Sequence, residues 1–530
     1  MPRVRSLPLI LLAVLPLWTG CQSQQTPSSS SEADADTLAG RYATTRLDAD
    51  LGALSNDQQE QVSLFVEAAQ AMDAVFWEQA YGNRDSLLQS IADPQRRRYA
   101  VLNYGPWDRL RGGPSFVEGA GPRPPWANFY PAGLTADSLR RAARTIDALD
   151  APTTMVRRLP DGSLTALPYH LFFAEALTTA SGRLQEAARL APTDAQRASL
   201  ERRAEALMTG EDAAATGPAP DGPVGIVIGS MPTGEDRLLG VKASATAVVL
   251  RRDSARTQRL ARIDRQMPAL WGALPVPDSL RPAPPTYDAA AYDALYVAGG
   301  LNAGPKPLAL PRPSAPQAVP SPDRRPLLLA NVTRATADTL LRPLATAVLA
   351  EPLRPSVTAD ALFDLTALRQ AARTALPDTA SALRTAGAAD ALSLLLATTL
   401  ADQADGGPDS TAYYATGLAR LVHTLRADST AHAGRAARAS LHYLREQGGL
   451  AADAERLTVA PDTMARALPA LARAWLRPSG DAPLAGPSDA TPDALRAVLR
   501  RLERTGVPVV LAFEQGPSVL RGLAPATAAR

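Results

Sequence analysis

The residues Arg369-Gln370-Ala371-Ala372-Arg373 hold two guanidiniums at i and i+4. Leu362, Leu365, Leu368 and Ala372 recur at helical spacing around them, so a helix is predicted over 360–376 with both arginines on one face. That spacing is how a helix offers two neutral imidazoles to one metal ion, with a glutamate beside the first to take a proton from the bound water. Guanidiniums at the same spacing do the reverse. They are permanently charged, only donate hydrogen bonds and repel a cation. Gln370 is no base near neutral pH. The pair is therefore either a solvated helix face or the floor of a site that captures a peptide C-terminus or another acidic group. Farther along, Thr385-Ala386-Gly387-Ala388-Ala389-Asp390 leads into a second helix and offers one carboxylate, Asp390.

Few other groups can do chemistry here. The chain has four histidines, and none lies between His170 and His423. His423 and His442 read as ordinary helix residues, and His170 as a loop-to-helix residue. Asp360, Asp364 and Asp390, together with His432, are the candidates for an unconventional hydrolytic site. A serine-hydrolase G-x-S-x-G, a G-x-x-x-x-G-K-[ST] phosphate loop and a G-x-G-x-x-G opening a helix are all absent.

The elements that must position these groups come from a 530-residue chain, long enough for two or more lobes. A formal net charge of +2 without any basic run argues against a nucleic-acid partner. Positive charge is almost all arginine, the two lysines being Lys242 and Lys306. The single cysteine, Cys21, excludes an intramolecular disulfide and a cysteine-based zinc site. Arg3 and Arg5 precede an apolar run over 7–18, and Thr19-Gly20-Cys21 follows, which looks like a bacterial lipoprotein signal with Cys21 as the lipidated residue. The expected organisation is a signal at 1–21, a flexible Ser-, Gln- and acid-rich tether at 22–37, one two-lobed domain at 38–520 and a tail at 521–530. Export and anchoring in the cell envelope, facing the periplasm, follow from that signal.

Ser55-Asn56-Asp57 caps a helix whose stripe is Val62, Phe65, Val66, Ala69, Met72 and Phe76. Further helices are expected at 135–149, 167–191, 194–208, 243–266, 390–400 and 411–426, the one at 243–266 basic. A strand is expected at 223–229, where β-branched residues sit between glycines and a proline. Residues 217–222, 274–286 and 307–326 read as turn-rich or proline-rich connections.

Several segments, in order, resemble the dipeptidyl peptidase III family of zinc peptidases in its bacterial lipoprotein form. They include Met72-Asp73 with Phe76-Trp77, Asn103-Tyr104-Gly105-Pro106-Trp107-Asp108-Arg109-Leu110, and Ala127-Asn128-Phe129-Tyr130-Pro131. The run from Tyr296 through Gly300, Asn302 and Gly304 to Lys306 is similar to the family's Y-A-G-D-x-N-A-G-S-K, with Gly300 in place of the aspartate. Ser429-Thr430-Ala431-His432 is similar to its S-S-A-H, and the likeness continues through 441–449 and 506–516. Both lysines fall on positions that are lysine in these relatives, which points to sites needing a compact ammonium.

The resemblance implies a mainly α fold with a smaller α+β part, two-lobed with a cleft between the lobes. It also implies zinc, and here the sequence departs. Arg369, Gln370 and Arg373 stand where H-E-x-x-H (or a form one residue longer) belongs, and Ala386 stands where a glutamate ligand belongs. In active relatives a Glu and a Tyr, within a segment like G-P-I-E-T-Y-E-D, help hold the substrate's free amino terminus. This chain has Pro232 and Gly234 there, followed by Glu235 and Asp236, which read as a solvated turn pair. The expectation is thus a zinc-free pseudopeptidase that binds a peptide or an envelope protein. Its candidate cleft residues are Asn302, Lys306, Arg369, Arg373, His432 and Arg435, with no catalytic and no metal-binding residue. Weak hydrolysis through an unconventional metal site, or a purely structural envelope role, are the alternatives.

Overall fold

In the computed structural model, Ser55 caps the helix α1 (Asn56–Ala80), accepting from the backbone N–H of Gln58 while the Gln58 side chain returns the bond. The described residues are 40–47, 49, 51–210, 222–285, 287–310, 326–377, 379–403, 407–453, 455–477 and 493–515. Cys21, the signal, the tether, the tail and most of the proline-rich stretch at 307–326 lie outside them. Among the described residues no helix is long and apolar enough to cross a membrane.

The α1 stripe falls where its periodicity places it, with Val62, Phe65, Val66, Ala69, Met72 and Phe76 all buried. A second helix, α2 (Ala174–Arg189), packs beside it, and α3 (Asp194–Thr209) packs on α2. Under α1 runs a four-stranded sheet, β1 (Val224–Met231), β2 (Ser244–Arg252), β3 (Ala290–Gly299) and β4 (Leu327–Leu329), in that order. The first three are antiparallel and β4 is parallel to β3. Side chains alternate strictly on β1 and β2: Ile226, Ile228, Ala247 and Val249 face the α1 core, while Val227, Val248 and Leu250 face the opposite side.

The helix expected at 243–266 is corrected by this sheet. Residues 244–252 are its second strand, and the helix α4 (Ser254–Gly272) begins only after Asp253, whose side chain caps it. Alanine-rich composition suggested helix, but burial on both faces between two strands overrides that propensity. The helix expected at 135–149 is also shorter, spanning Ala136–Ala142 before breaking into turns.

The second apolar core is mainly helical. It is built on α5 (Ala359–Ala375), α6 (Ala382–Gln403), α7 (Ser410–Ala427), α8 (His432–Glu446), α9 (Pro461–Leu476) and α10 (Asp493–Arg504). Each fully buried leucine there contributes roughly 1.5–3 kcal/mol. A short parallel pair, Tyr42–Arg46 with Val510–Glu514, brings the two ends of the described chain together. The architecture is mainly helical with a smaller sheet part.

Candidate functional site

Helices α5, α6 and α7 converge so that two guanidiniums meet one carboxylate. Arg369 donates from Nε to Asp390 Oδ1, and Arg420 donates from Nη2 to the same oxygen at 2.7 Å. Asp390 is only 3 % exposed. Burial alone would raise its pKa, but Arg369 and Arg420 outweigh that and hold it below the usual carboxylate range. Two positive charges against one negative leave a surplus cation at this point.

A pocket of about 410 Å³ opens over the cluster, lined among others by Lys306, Arg369, Gln370, Arg373, Arg420 and His423. A π-helical turn, Ala337–Leu341, supplies apolar wall through Leu340 and Leu341, as such turns often do beside functional sites. Val509, Val510 and Leu511, at the start of the C-terminal strand, line it as well.

Lys306 ties this pocket to a second network. Tyr104 donates its hydroxyl to Asp73 Oδ1 at 2.5 Å, and the Gly299 N–H donates to the same oxygen at 2.9 Å. Asn302 Nδ2 donates to the Tyr104 hydroxyl at 3.1 Å, and Lys306 Nζ donates to the Asn302 carbonyl. The ammonium also sits 5.4 Å from the centre of the Phe513 ring. Burial, with some help from Arg109, lowers the Lys306 pKa to about 7 against the opposing pull of Asp73. Burial raises the Asp73 pKa, partly countered by its hydrogen bonds.

The other lysine is an anchor. Lys242 uses all three N–H bonds, to the carbonyls of Leu149 and Ala151, both at 2.8 Å, and to Thr154 Oγ1 at 2.7 Å. A planar guanidinium could not reproduce that cage.

Glu235 and Asp236 are not the solvated pair expected from their turn. Glu235 is 3 % exposed and is clamped by Arg109, at 2.5 and 3.1 Å, and by Arg123. Burial would raise its pKa, but the two guanidiniums prevail and bring it to about 2. Asp236 accepts from the backbone N–H groups of Leu238, Leu239, Val241 and Lys242 and from the Tyr130 hydroxyl. Arg109, Arg123 and Tyr130 lie over a hundred residues away in sequence, so no local pattern announces the burial of this pair. The position of Gly300 also has a local cause: a Cβ there would lie 2.7 Å from the Thr233 side chain, which is fixed by a bond to Ser244.

The remaining candidates do not gather. Asp364 is fully buried, gripped by Arg259 at 2.7 and 2.5 Å and by the Tyr413 hydroxyl at 2.8 Å. Asp360 pairs with Arg256 at 2.7 Å. Each of the three carboxylates put forward for hydrolysis is thus held by a different arginine or pair of arginines. His432 is exposed on the first turn of α8, and neither it nor Arg435 lines the pocket. The imidazole on the pocket wall is His423, whose Nε2 bonds the Val509 carbonyl at 2.8 Å. Nothing in the sequence near His423 signals this, because the wall comes from a strand at the far end of the chain.

No family model matches the chain. Among solved structures, DPP III from Caldithrix abyssi matches with a TM-score of 0.84 at 24 % identity, covering 92 % of this chain and 99 % of that one. Dipeptidyl-peptidase III from Corallococcus sp. strain EGB matches with a TM-score of 0.79, also at 24 % identity, covering 94 % and 99 %. The fold is that of dipeptidyl peptidase III. A curated relative, Nudix hydrolase 3 of Arabidopsis thaliana, is 25 % identical over 385 residues. That match covers 61 % of this chain and 50 % of the relative, so this chain spans about half of the relative's length.

Zinc, which the resemblance implies, does not fit the residues present. The motif positions carry Arg369, Gln370, Arg373 and Ala386, which between them supply no imidazole and no carboxylate. Among the described residues no group of three His, Cys, Asp or Glu is placed to hold a metal ion.

Proposed function

Starting from the dipeptidyl peptidase III fold, we propose that this chain is a non-hydrolytic member of that family, anchored in the cell envelope through lipid on Cys21, that binds peptides. One observation carries the reading: Asp390 is held by Arg369 and Arg420 at the point where the resemblance puts the metal-binding motifs. A guanidinium supplies positive charge there, but it activates no water and polarises no carbonyl as a Lewis acid does. What remains is a cationic, largely apolar pocket, suited to holding an anionic group. The changes at Pro232 and Gly234 point the same way, since the amino-terminus clamp of active relatives is missing with the metal ligands.

The test is turnover of a dipeptidyl-arylamide by the purified mature chain, with and without a chelator, beside calorimetry with short peptides. No turnover together with measurable peptide binding is expected. Chelator-sensitive turnover would make the protein a working metallopeptidase. Neither turnover nor binding would leave a structural envelope role.

A further inference from the structure

Resting on the peptide-binding reading, we infer that the pocket over Arg369 and Arg420 receives the C-terminal residue of a peptide with an apolar side chain, and that His423 accepts the N–H of that residue's amide. Three features of the wall converge on this ligand.

The first is charge. At the pocket floor Arg369 and Arg420 share a single carboxylate oxygen, that of Asp390. Asp428 at the wall already accepts from Thr430 and Ala431. The floor therefore holds one more cation than carboxylate, and a ligand carboxylate completes the balance.

The second is the imidazole. A carbonyl oxygen only accepts, so the bond to Val509 fixes the proton of His423 on Nε2. Nδ1 is then a lone pair on a ring that lines the pocket, with no hydrogen-bond partner among the described residues. Burial keeps the ring neutral by lowering its pKa, and nearby Arg426 adds to this. A lone pair beside a cluster of cations calls for a ligand that carries a donor next to its anion. A peptide C-terminus has this arrangement, with its amide N–H adjacent to the α-carboxylate. A simple fatty carboxylate lacks the donor.

The third is the apolar wall, to which Leu341, Leu362 and Val510 contribute. Its volume suits one apolar side chain plus the adjoining backbone.

The experiment is calorimetry of the mature chain with N-acetyl-Ala-Ala-Leu and three relatives of it. These are the C-terminal amide, the peptide N-methylated at leucine, and 4-methylpentanoate. The free acid is expected to bind, with the amide and the N-methyl peptide each weaker by about tenfold or more, the cost of losing one charge-assisted or buried hydrogen bond. Arg369→Gln is expected to weaken the acid more than the amide, so that the preference for the free acid shrinks. Equal binding of acid and amide would overturn the carboxylate assignment yet leave peptide binding standing. Equal binding of the N-methyl peptide, or of 4-methylpentanoate, would remove the role of His423. No binding by any of the peptides would overturn the peptide-binding reading itself and this inference with it.

Discussion

Arg369 on one helix donates from Nε to Asp390 on the next, and Arg420 on a third helix reaches the same carboxylate oxygen. One carboxylate thus joins three helices, and it lies at the last position of the second degenerate motif while Arg369 holds the first position of the other. The cluster gives this group of helices a buried polar anchor of its own. A buried carboxylate needs a cation, and a guanidinium supplies one without any metal.

Asp390→Ala should strand two partly buried guanidiniums and destabilise the fold by about 3–5 kcal/mol. Urea unfolding measures this. A loss below about 1 kcal/mol would be the value of a solvated surface pair, and would mean the cluster does not hold the helices together.

Gly387, in the same motif, faces the Trp475 ring so closely that a Cβ would come within 2.2 Å of Cε2. Trp475 cannot easily swing away, since its indole N–H donates to Ser440 at 3.0 Å. Gly387→Ala should therefore cost about 1–3 kcal/mol by overpacking, against the usual small gain from placing alanine in a helix. A rise in Tm would contradict the packing described for α6 on α9.

Much of this was legible beforehand and some was not. The α1 stripe and the survival of the helix over 360–376 could be read because each keeps a 3.6-residue period over several turns. Residues 244–252 could not, since alanines on a strand buried on both faces carry no alternation to distinguish them from a helix. Arg369 stands out through its spacing, while its partner Asp390, and Arg420 on the same carboxylate, come from other helices. The burial of Glu235 and Asp236 is hidden for the same reason, since Arg109, Arg123 and Tyr130 lie over a hundred residues away and local pattern describes only neighbours.

Glu235→Gln should weaken the clamp on Arg109 and Arg123 and lower stability at pH 7, by about 3 kcal/mol or more if the pair behaves as a buried one. The pH dependence has a definite sign. The Glu235 pKa is lowered on folding to about 2, from 4.5, so its contribution is present above pH 4.5 and disappears as pH falls toward 2. In the variant, the part of the acid-side loss between those values that belongs to Glu235 should be gone. An unchanged acid limb in chemical denaturation would contradict the pairing.

Lys306 works in the opposite direction. Its folded pKa of about 7 lies below the ordinary 10.5, so the unfolded chain holds more protons between those values and stability rises with pH across that window. Lys242, lowered to about 8, adds a slope of the same sign above pH 8. Lys306→Met should flatten the rise between pH 7 and 8, where Lys242 contributes least. An unaltered slope there would show that Lys306 keeps its ordinary pKa in the folded protein.

The most direct test is the zinc content of the purified, unlipidated mature chain, by elemental analysis after mild zinc loading. Zinc well below one per chain is expected, because arginines and an alanine occupy the motif positions and Asp390 is already committed to Arg369 and Arg420. Zinc near one per chain would contradict that, requiring a ligand set elsewhere in the chain and returning the protein to the working hydrolases.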